Sequence, residues 1–378
     1  MDRSHLFLLS LFFGICSLMA LSNAIIPILP DLDDALQIQA FIYSAYFFGA
    51  MITTLPGGII SERVGQYKVI WIGMILTILS GVILTSTTDP VLLLVTRIIE
   101  GIGAGLFVSA ALSWINYQRN HTRLSGIFMA LLNLGLLLGL LGGGWITGIL
   151  NDTTAGILFF TILSILSFVI LFICKGTQGI QAVSTTPHTG VQEWKPLLND
   201  VYGMLIRQAP LWFSVIVLLG INGFVQAIYP EISGLPAQEV GTALAVMNLA
   251  TIIASLTAPW FRIEPVLLIR ISAVLMGVFV LIFIEYPFSV FIMGFVAGLI
   301  MISQISYLAT AEEKQGVAMG LYTTASYAGM TFLPAIGGYI AGIFSVSTAS
   351  ALIALLAGIC VVLIGACRCR GFVDSHDS

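Results

Sequence analysis

The sequence GGIISERVGQYK, residues 57–68, places a charged, glycine-bearing segment between two long apolar segments. Glu62 and Arg63 are adjacent, Gly65 follows them, and Lys68 lies five residues beyond Arg63. Gly65 permits a tight turn between two helices, because glycine lacks a Cβ atom. The position of this turn relative to a membrane depends on the apolar segments around it.

The composition is that of an integral membrane protein. Charged residues make up 8% of the 378 residues, whereas soluble domains have roughly 25%. Apolar residues make up 58% and the mean hydropathy is +1.05. The net charge of -4 is small and no basic cluster is present, so a nucleic-acid partner is not expected. A lipid bilayer is the predicted environment.

Twelve apolar spans divide the chain, and each is close to the roughly 20 residues that a helix needs to cross the hydrocarbon core. Uninterrupted apolarity of this length excludes β-barrel strands, which alternate and are about half as long. Helices are then the structure that satisfies the backbone in lipid. The predicted spans are 6–30, 36–60, 69–87, 91–116, 124–149, 155–174, 209–230, 238–261, 265–284, 288–309, 316–342 and 347–367.

Lysine and arginine predict the orientation, with both termini in the cytoplasm. All basic residues except Arg97 then lie on the cytoplasmic side, as the positive-inside rule requires. These residues are Arg3, Arg63, Lys68, Arg119, Arg123, Lys175, Lys195, Arg207, Arg262, Arg270, Lys314, Arg368 and Arg370. The predicted outer loops hold acidic residues only, namely Asp31, Asp33, Asp34, Asp89, Asp152, Glu231, Glu239 and Glu285.

The chain also contains an internal repeat. The segment NAIIP at residues 23–27 is echoed by QAIYP at 226–230, an offset of 203, and Pro56 and Pro259 share that offset. Four glycines of span 5 match four of span 11 at an offset of 194. The predicted domains are therefore a six-helix bundle at 1–174, a cytoplasmic linker at 175–208, and a second bundle with a short tail at 209–378. Parallel repeats of this kind are typical of alternating access around a central site.

The charged segment follows a known signature. It is similar to the pattern between helices 2 and 3 of the major facilitator superfamily, and the resemblance covers essentially the whole chain. The matching residues are Gly58, Glu62, Arg63, Gly65 and Lys68. Glu62 stands where the family usually has Asp, and Gln66 and Tyr67 stand where it often has bases. The resemblance implies a gate that holds the cytoplasmic side shut, whereas Arg63 and Lys68 alone would also serve as a positive-inside anchor.

Span 4 contains the second match, RIIEGIGA at residues 97–104, which resembles the family's helix 4 pattern with Glu100 where Gln is usual. At 1.5 Å per residue, Arg97 lies about 9 Å and Glu100 about 14 Å below Val91, so Glu100 is near the midplane. The i,i+3 spacing lets the two side chains meet. Intramembrane ionisable groups are functional by default, so proton coupling is predicted. The alternatives are an Arg97 that reaches the outer surface and a Glu100 that is a structural counter-ion.

Span 5 matches the helix 5 glycine pattern of the family's antiporters in part. Its glycines are Gly126, Gly135, Gly139, Gly143 and Gly144. Leu140 occupies the position of the pattern's proline, whereas Pro334 occupies the equivalent position in span 11. Glycines at i and i+4 also form a smooth ridge for plain helix packing. The segment IPILP at residues 26–30 resembles the helix 1 signature of the twelve-span drug/proton antiporters.

Polar and aromatic residues inside the spans are candidates for a substrate cavity. They are Asn23, Tyr43, Tyr46, Asn133, Asn222, Gln226, Asn248, Gln304, Tyr307 and Tyr322. Any of them could instead hydrogen-bond a neighbouring helix. A mostly apolar pocket with a few polar anchors suits a lipophilic or weakly polar molecule.

Enzyme chemistry is not predicted. The four histidines, at 5, 121, 188 and 376, lie in predicted termini or cytoplasmic loops without a second ligand at metal spacing, and no phosphate-binding loop is present. No cofactor or metal is expected.

The predicted protein is an all-α membrane protein with twelve transmembrane helices in two pseudo-symmetric six-helix bundles. Its predicted function is proton-coupled export of small amphipathic compounds, as a monomer in the plasma membrane. A nutrient or metabolite symporter or uniporter is one alternative, and Leu140 favours it. A transporter-like sensor or assembly factor that does not transport is another. Intact Glu62-Arg63 and Arg97-Glu100 pairs argue against that second alternative.

Overall fold

The computed structural model describes residues 3–118, 120–174, 194–261, 263–286, 288–311 and 315–366. Twelve long helices are numbered here in chain order, and a shorter linker helix lies between the sixth and the seventh. The first six are α1 (Arg3–Ala24), α2 (Leu36–Val64), α3 (Gln66–Leu84), α4 (Pro90–Asn116), α5 (His121–Leu150) and α6 (Ala155–Cys174). The last six are α7 (Ala209–Ser233), α8 (Ala237–Thr257), α9 (Pro265–Ile282), α10 (Ser289–Ala311), α11 (Gln315–Ile343) and α12 (Val346–Ala366).

Each predicted span corresponds to one long helix. Span 1 is continued beyond Ala24 by a 3-10 turn at Ile26–Ile28 and a short helix at Leu29–Leu32. Eleven of the described helices are long and apolar enough to cross a membrane. Helix α11 is not among those eleven, although it has 29 residues, because its glycines, threonines and tyrosines lower its hydropathy. The protein is a multi-pass, all-helical membrane protein, and the part of the chain that the structure describes contains no strand.

Part of the predicted linker is helical. Residues Trp194–Arg207 form a helix just before α7. In this segment apolar residues recur every three or four positions, which is the helical period. The indole Nε1 of Trp212 donates to the carbonyl oxygen of Met204 at 3.1 Å, so the linker helix is tied to α7. The first part of the linker, residues 175–193, lies outside the described residues, as do Arg119, Arg262, Lys314 and the tail at 367–378.

The charged segment is shorter as a loop than its sequence suggests. Helix α2 continues through Glu62 and Arg63 to Val64, and α3 begins at Gln66, so Gly65 alone connects the two helices. Gly65 has φ 102° and ψ 129°, a backbone conformation that favours glycine, and its N–H donates to the Ser61 carbonyl at 3.0 Å. Glu62 and Arg63 thus lie in the last turn of a helix rather than in a loop.

The two halves touch mainly along two pairs of helices. Within the first half, α2 packs on α4 and α1 packs on α5, and within the second half α8 packs on α10 and α7 packs on α11. Between the halves, α2 packs on α11 and α5 packs on α8. We call the end that contains residues 29–40, 142–150, 231–242 and 336–346 the predicted outer end. The opposite end, with Gly65, is the predicted cytoplasmic end.

Packing revises the register of the repeat. Added Cβ atoms at Gly135 and Gly329, which are 194 residues apart, would contact the carbonyl oxygens of Cys16 and Ile216, which are 200 residues apart. The offset of 203 between α1 and α7, taken from the proline-containing segments, is therefore three residues too long for the packing. Three residues are about one helical turn. The alignment of α7 on α1 by matching residue types therefore differs by nearly one helical turn from the alignment that their packing contacts give.

Candidate functional site

The buried charges of α4 form an ion pair. Asp89 caps the helix by accepting from the Leu92 N–H at 2.8 Å, and Pro90 occupies its first turn, which favours initiation here. Two turns further on, Arg97 Nη1 lies 2.6 Å from Glu100 Oε2. The side chains are 1% and 0% exposed, so Arg97 does not reach the surface. The alternative of a surface-directed Arg97 is therefore wrong.

Helix α2 and helix α3 supply the surroundings of this pair. The guanidinium carbon of Arg97 lies 4.8 Å from the centroid of the Tyr46 ring, within cation–π distance. Arg97 Nε donates to the Ile42 carbonyl at a long 3.5 Å. The hydroxyl of Ser80 lies 3.1 Å from the Thr96 carbonyl and 3.3 Å from Glu100 Oε2. The pair is thus held between an aromatic face on one side and a hydroxyl on the other.

One oxygen of the Glu100 carboxylate has no hydrogen-bond partner among the described protein groups. This oxygen, Oε1, is buried. A buried carboxylate normally has its lone pairs satisfied, since an unpaired one costs desolvation free energy. Protonation would make the carboxyl neutral and weaken its attraction to Arg97.

The gate motif lies on the surface of the predicted cytoplasmic end. Glu62, Arg63 and Lys68 are exposed. A Cβ atom added at Gly58 would have no heavy atom within 4 Å, so no neighbouring helix approaches that glycine. At Gly58, therefore, the gate motif is not packed against the second half of the protein.

The helix 5 glycines separate into three groups. Cβ atoms at Gly135, Gly139 and Gly143 would each contact the backbone of α1, so these glycines allow α1 and α5 to approach within one half. A Cβ atom at Gly144 would contact the carbonyl oxygen of Ala237 in the other half. Gly126 has open space around it. Plain helix packing therefore accounts for the ridge, and α5 runs without interruption through the fully buried Leu140.

The cavity candidates differ in burial and in hydrogen-bond partner. Tyr43 and Tyr46 are buried, and Tyr46 contacts Arg97. In the second half, Gln304 Nε2 donates to Ser214 Oγ at 3.1 Å, and the Tyr322 hydroxyl lies 3.4 Å from Gln304 Oε1. The remaining positions are diverse: Asn222 and Gln226 are 6% exposed, Asn23 donates to the Leu136 carbonyl, Tyr307 to Gln208, and Asn133 and Asn248 to carbonyls of their own helices.

Three polar or aromatic residues that contact the ion pair or join the two halves were not predicted from the sequence. Ser80 contacts Glu100, and its only signal was a hydroxyl within an apolar span. Tyr327 of α11 lies 6.0 Å from Phe47 of α2 between ring centroids, so two aromatic rings face each other across the halves. Gln39 donates to Glu231 at 2.7 Å, and Glu231, predicted in a loop, lies in the last turns of α7.

Comparison with known proteins agrees with this architecture. A sequence profile described as the Major Facilitator Superfamily matches residues 11–329. The chain belongs to the major facilitator superfamily. A solved structure of the nucleoside transporter NupG has a TM-score of 0.74 and 14% sequence identity, covering 97% of this chain and 99% of that chain. The architecture is thus the major facilitator fold, in agreement with the family that the sequence profile identifies.

Curated relatives match parts of this major facilitator chain. The quinolone resistance protein NorA of Staphylococcus aureus (strain MSSA476) is 24% identical over 57% of this chain and 55% of its own length. The probable anion transporter 6, chloroplastic, of Arabidopsis thaliana is 32% identical over 35% of this chain and 27% of its own length. The chain spans about half or less of the length of these relatives. The likeness to NorA agrees with the resemblance to drug/proton antiporters.

Proposed function

We propose that this transporter exports small amphipathic or lipophilic compounds in exchange for protons, by alternating access. The observation that carries the proposal is the buried Arg97–Glu100 pair with the unpartnered Glu100 Oε1. Charges buried in a membrane protein are costly and mark ion or substrate pathways. Similarity to a quinolone resistance protein supports a drug-like substrate.

In the proposed cycle, Glu100 is the residue that takes up and releases the proton. The deprotonated carboxylate holds Arg97 Nη1 at 2.6 Å, whereas the protonated one loses that charge interaction. Arg97 then interacts more strongly with the Ile42 carbonyl and the Tyr46 ring, which both belong to α2. Because α2 packs on α11 of the other half, a shift of α2 would change the contact between the halves.

The transporter has a defined topology and conformational state in this proposal. Both termini are placed in the cytoplasm of a plasma-membrane monomer, with domains at 1–174 and 209–378 and a linker at 175–208. In this orientation the structure has its outer end closed, where Ala40 contacts Gly338 and Ala237 contacts Gly144. Open space around Gly58 and Gly126 at the other end supports a cytoplasm-facing state. In the alternate state, the gate motif would close that end.

A second candidate is a symporter or uniporter for a nutrient or metabolite. Helix α5 has no proline at Leu140 and is continuous over 30 residues, which favours this reading over antiport. Partial similarity to a probable anion transporter also supports it.

Purified protein in proteoliposomes with an internal pH indicator tests these candidates. Addition of fluorescent lipophilic cations, neutral amphiphiles or organic anions should move protons in the direction opposite to one class of compound. Glu100→Gln should abolish this proton movement, because the amide cannot release a proton. Glu285→Gln, the same substitution at an exposed position, is the matched control and should behave as wild type.

Each other outcome decides against part of the proposal. Unchanged proton movement in Glu100→Gln would reject Glu100 as the coupling residue. Proton movement in the same direction as the compound would favour symport. Compound flux without proton movement would favour a uniporter. No flux for any compound would favour the sensor or assembly-factor reading.

A further inference from the structure

We infer that Gln39 and Glu231 form an outer latch, a hydrogen bond that joins the two halves at the predicted outer end and limits how readily that end opens. Gln39 Nε2 donates to Glu231 Oε2 at 2.7 Å, from α2 of the first half to α7 of the second. The inference rests on the proposed alternating-access function, since opening and closing of that end are its steps.

The geometry fixes the direction of this hydrogen bond. Gln39 is 0% exposed, and the same Nε2 also donates to the Asp33 carbonyl at 2.8 Å. Both neighbours are acceptors, so a reversed amide would place its oxygen against two oxygens. Gln39 Oε1 has no hydrogen-bond partner, so the Nε2 contacts are what hold this amide. The hydrogen bonds of the Gln39 side chain are therefore those to Glu231 and to the Asp33 carbonyl.

Charge makes the outer latch stronger than a neutral contact would be. Hydrogen bonds to an ionised carboxylate are about twice as strong as neutral ones. Another polar contact between the halves, from Trp145 Nε1 to Thr242 Oγ1 at 3.0 Å, joins an indole to a hydroxyl, and Trp145 is 49% exposed. The polar attraction across the outer end is therefore concentrated on the side of α2 and α7.

Two equivalent strips of close packing flank these contacts. On one strip, Cβ atoms added at Gly338 and Gly342 would contact Ala40 and Gln37 of α2. On the other strip, Cβ atoms added at Gly144 and Gly148 would contact Ala237 and Gln238 of α8.

The strips bring the helices close, because glycine leaves room for the partner backbone. They are related by the internal repeat, whereas the Gln39–Glu231 bond is not repeated in this form on the second strip. The strips therefore provide the fit, and the outer latch adds a contact that exists only when the end is closed. Such a contact shifts the equilibrium toward the closed state by the free energy that it contributes there.

Spin-label distances across the outer end test the inference. Nitroxides would be attached at Thr88→Cys and Glu285→Cys, both at exposed positions in loops at that end. The five natural cysteines would be replaced by serine, and the protein placed in lipid nanodiscs without substrate. Gln39→Ala and Glu231→Ala should raise the ratio of long to short distances about tenfold, the size expected for loss of a hydrogen bond to a charged group.

Three further variants control this measurement. Glu231→Gln keeps an acceptor for Gln39 and should give a smaller change than Glu231→Ala. Ser233→Ala removes a hydroxyl that bonds to its own segment, at Pro230 and Leu235, and should change nothing. Gly144→Ala adds a methyl against the other half and should lengthen the distances, which shows that the labels report opening.

Unchanged distances in both Gln39→Ala and Glu231→Ala, with lengthening in Gly144→Ala, would overturn the outer latch. The readout needs neither a compound nor protons, so it is separable from the proposed function. Longer distances in these variants of a protein that moves no protons would reject proton coupling and leave the outer latch standing. Normal proton exchange with unchanged distances would reject the outer latch alone.

Discussion

Helices α4 and α10 pack on their partners in the same way, yet α4 carries a buried ion pair and α10 carries no charged residue. A Cβ atom at Gly101 of α4 would contact the Tyr46 carbonyl of α2, and one at Gly294 of α10 would contact the Met247 carbonyl of α8. With these glycines in register, the positions of Arg97 and Glu100 are occupied by Val290 and Met293.

The difference between α4 and α10 shows that the helix contact can form without a buried ion pair. Val290 and Met293 are 2% and 0% exposed, so both halves bury these positions. Ser80, which contacts Glu100, is likewise replaced by an apolar residue in the second half. With Gly81 and Gly277 in register, the equivalent residue is Met276. The second half forms the same helix contact with apolar residues, so the contact does not require charge. This internal control supports a functional role for Arg97 and Glu100.

The largest expected effect comes from making one position of α4 resemble α10. Glu100→Met leaves Arg97 buried without a counter-charge and should destabilise the protein by about 3–5 kcal/mol. Denaturant unfolding in detergent measures this loss. The double variant Arg97→Val/Glu100→Met matches the second half and should recover stability to near wild type without recovering proton coupling. A double variant as unstable as the single one would show that the first half needs the ion pair to fold.

The shared packing should be equally sensitive in both halves. Gly101→Ala and Gly294→Ala each place a methyl against a backbone carbonyl, so each should cost about 1–3 kcal/mol. Gly358→Ala, where an added Cβ atom has nothing within 4 Å, is the control. Thermal unfolding of the three variants checks this. A large cost in only one half would contradict the equivalence of the two helix contacts.

A smaller effect is expected at the polar neighbour of the pair. Ser80→Ala removes a hydroxyl 3.3 Å from Glu100 Oε2 and should cost about 1 kcal/mol, with altered proton coupling. Met276→Leu, at the equivalent position of the second half, should leave coupling unchanged. Proton movement in proteoliposomes compares the two variants. Equal coupling in Ser80→Ala and wild type would remove Ser80 from the site.

The smallest effect is expected at the open end of the bundle. Gly58→Ala adds a methyl into open space and should change stability by no more than about 0.5 kcal/mol. If the gate motif closes this end in the alternate state, the same variant should slow transport. Unfolding and transport rates, measured on one preparation, separate the two effects. Unchanged transport would leave the motif as a positive-inside anchor.

Much of the fold was predictable because apolar length and charge asymmetry are properties of the sequence itself. The spans predicted at 91–116 and 155–174 coincide with α4 and α6 to within one residue. The linker helix was missed because its 14 residues are too short and too polar to resemble a membrane span. The repeat register of α1 and α7 was wrong by three residues, since residue identity does not report which face contacts a neighbour.

The candidate site was predictable only in part. The i,i+3 spacing indicated that Arg97 and Glu100 meet, and they do so at 2.6 Å. The spacing did not identify Ser80 or the Ile42 carbonyl, because these belong to other helices. Asn133 is exposed and donates to its own helix at Met129, so its place in a substrate cavity stays a prediction.

The sequence by itself determined that the chain is a helical membrane protein with a charged pair deep in its fourth span. Burial of charge in lipid is costly enough for its position to be informative without coordinates. Only the tertiary structure decided which glycines face the other half, that Gln39 of α2 meets Glu231 of α7, and that one end is closed. Gln39 and Glu231 are 192 positions apart in the chain. Contacts between distant helices depend on how each helix is rotated and how closely the helices approach, which local sequence periodicity does not specify.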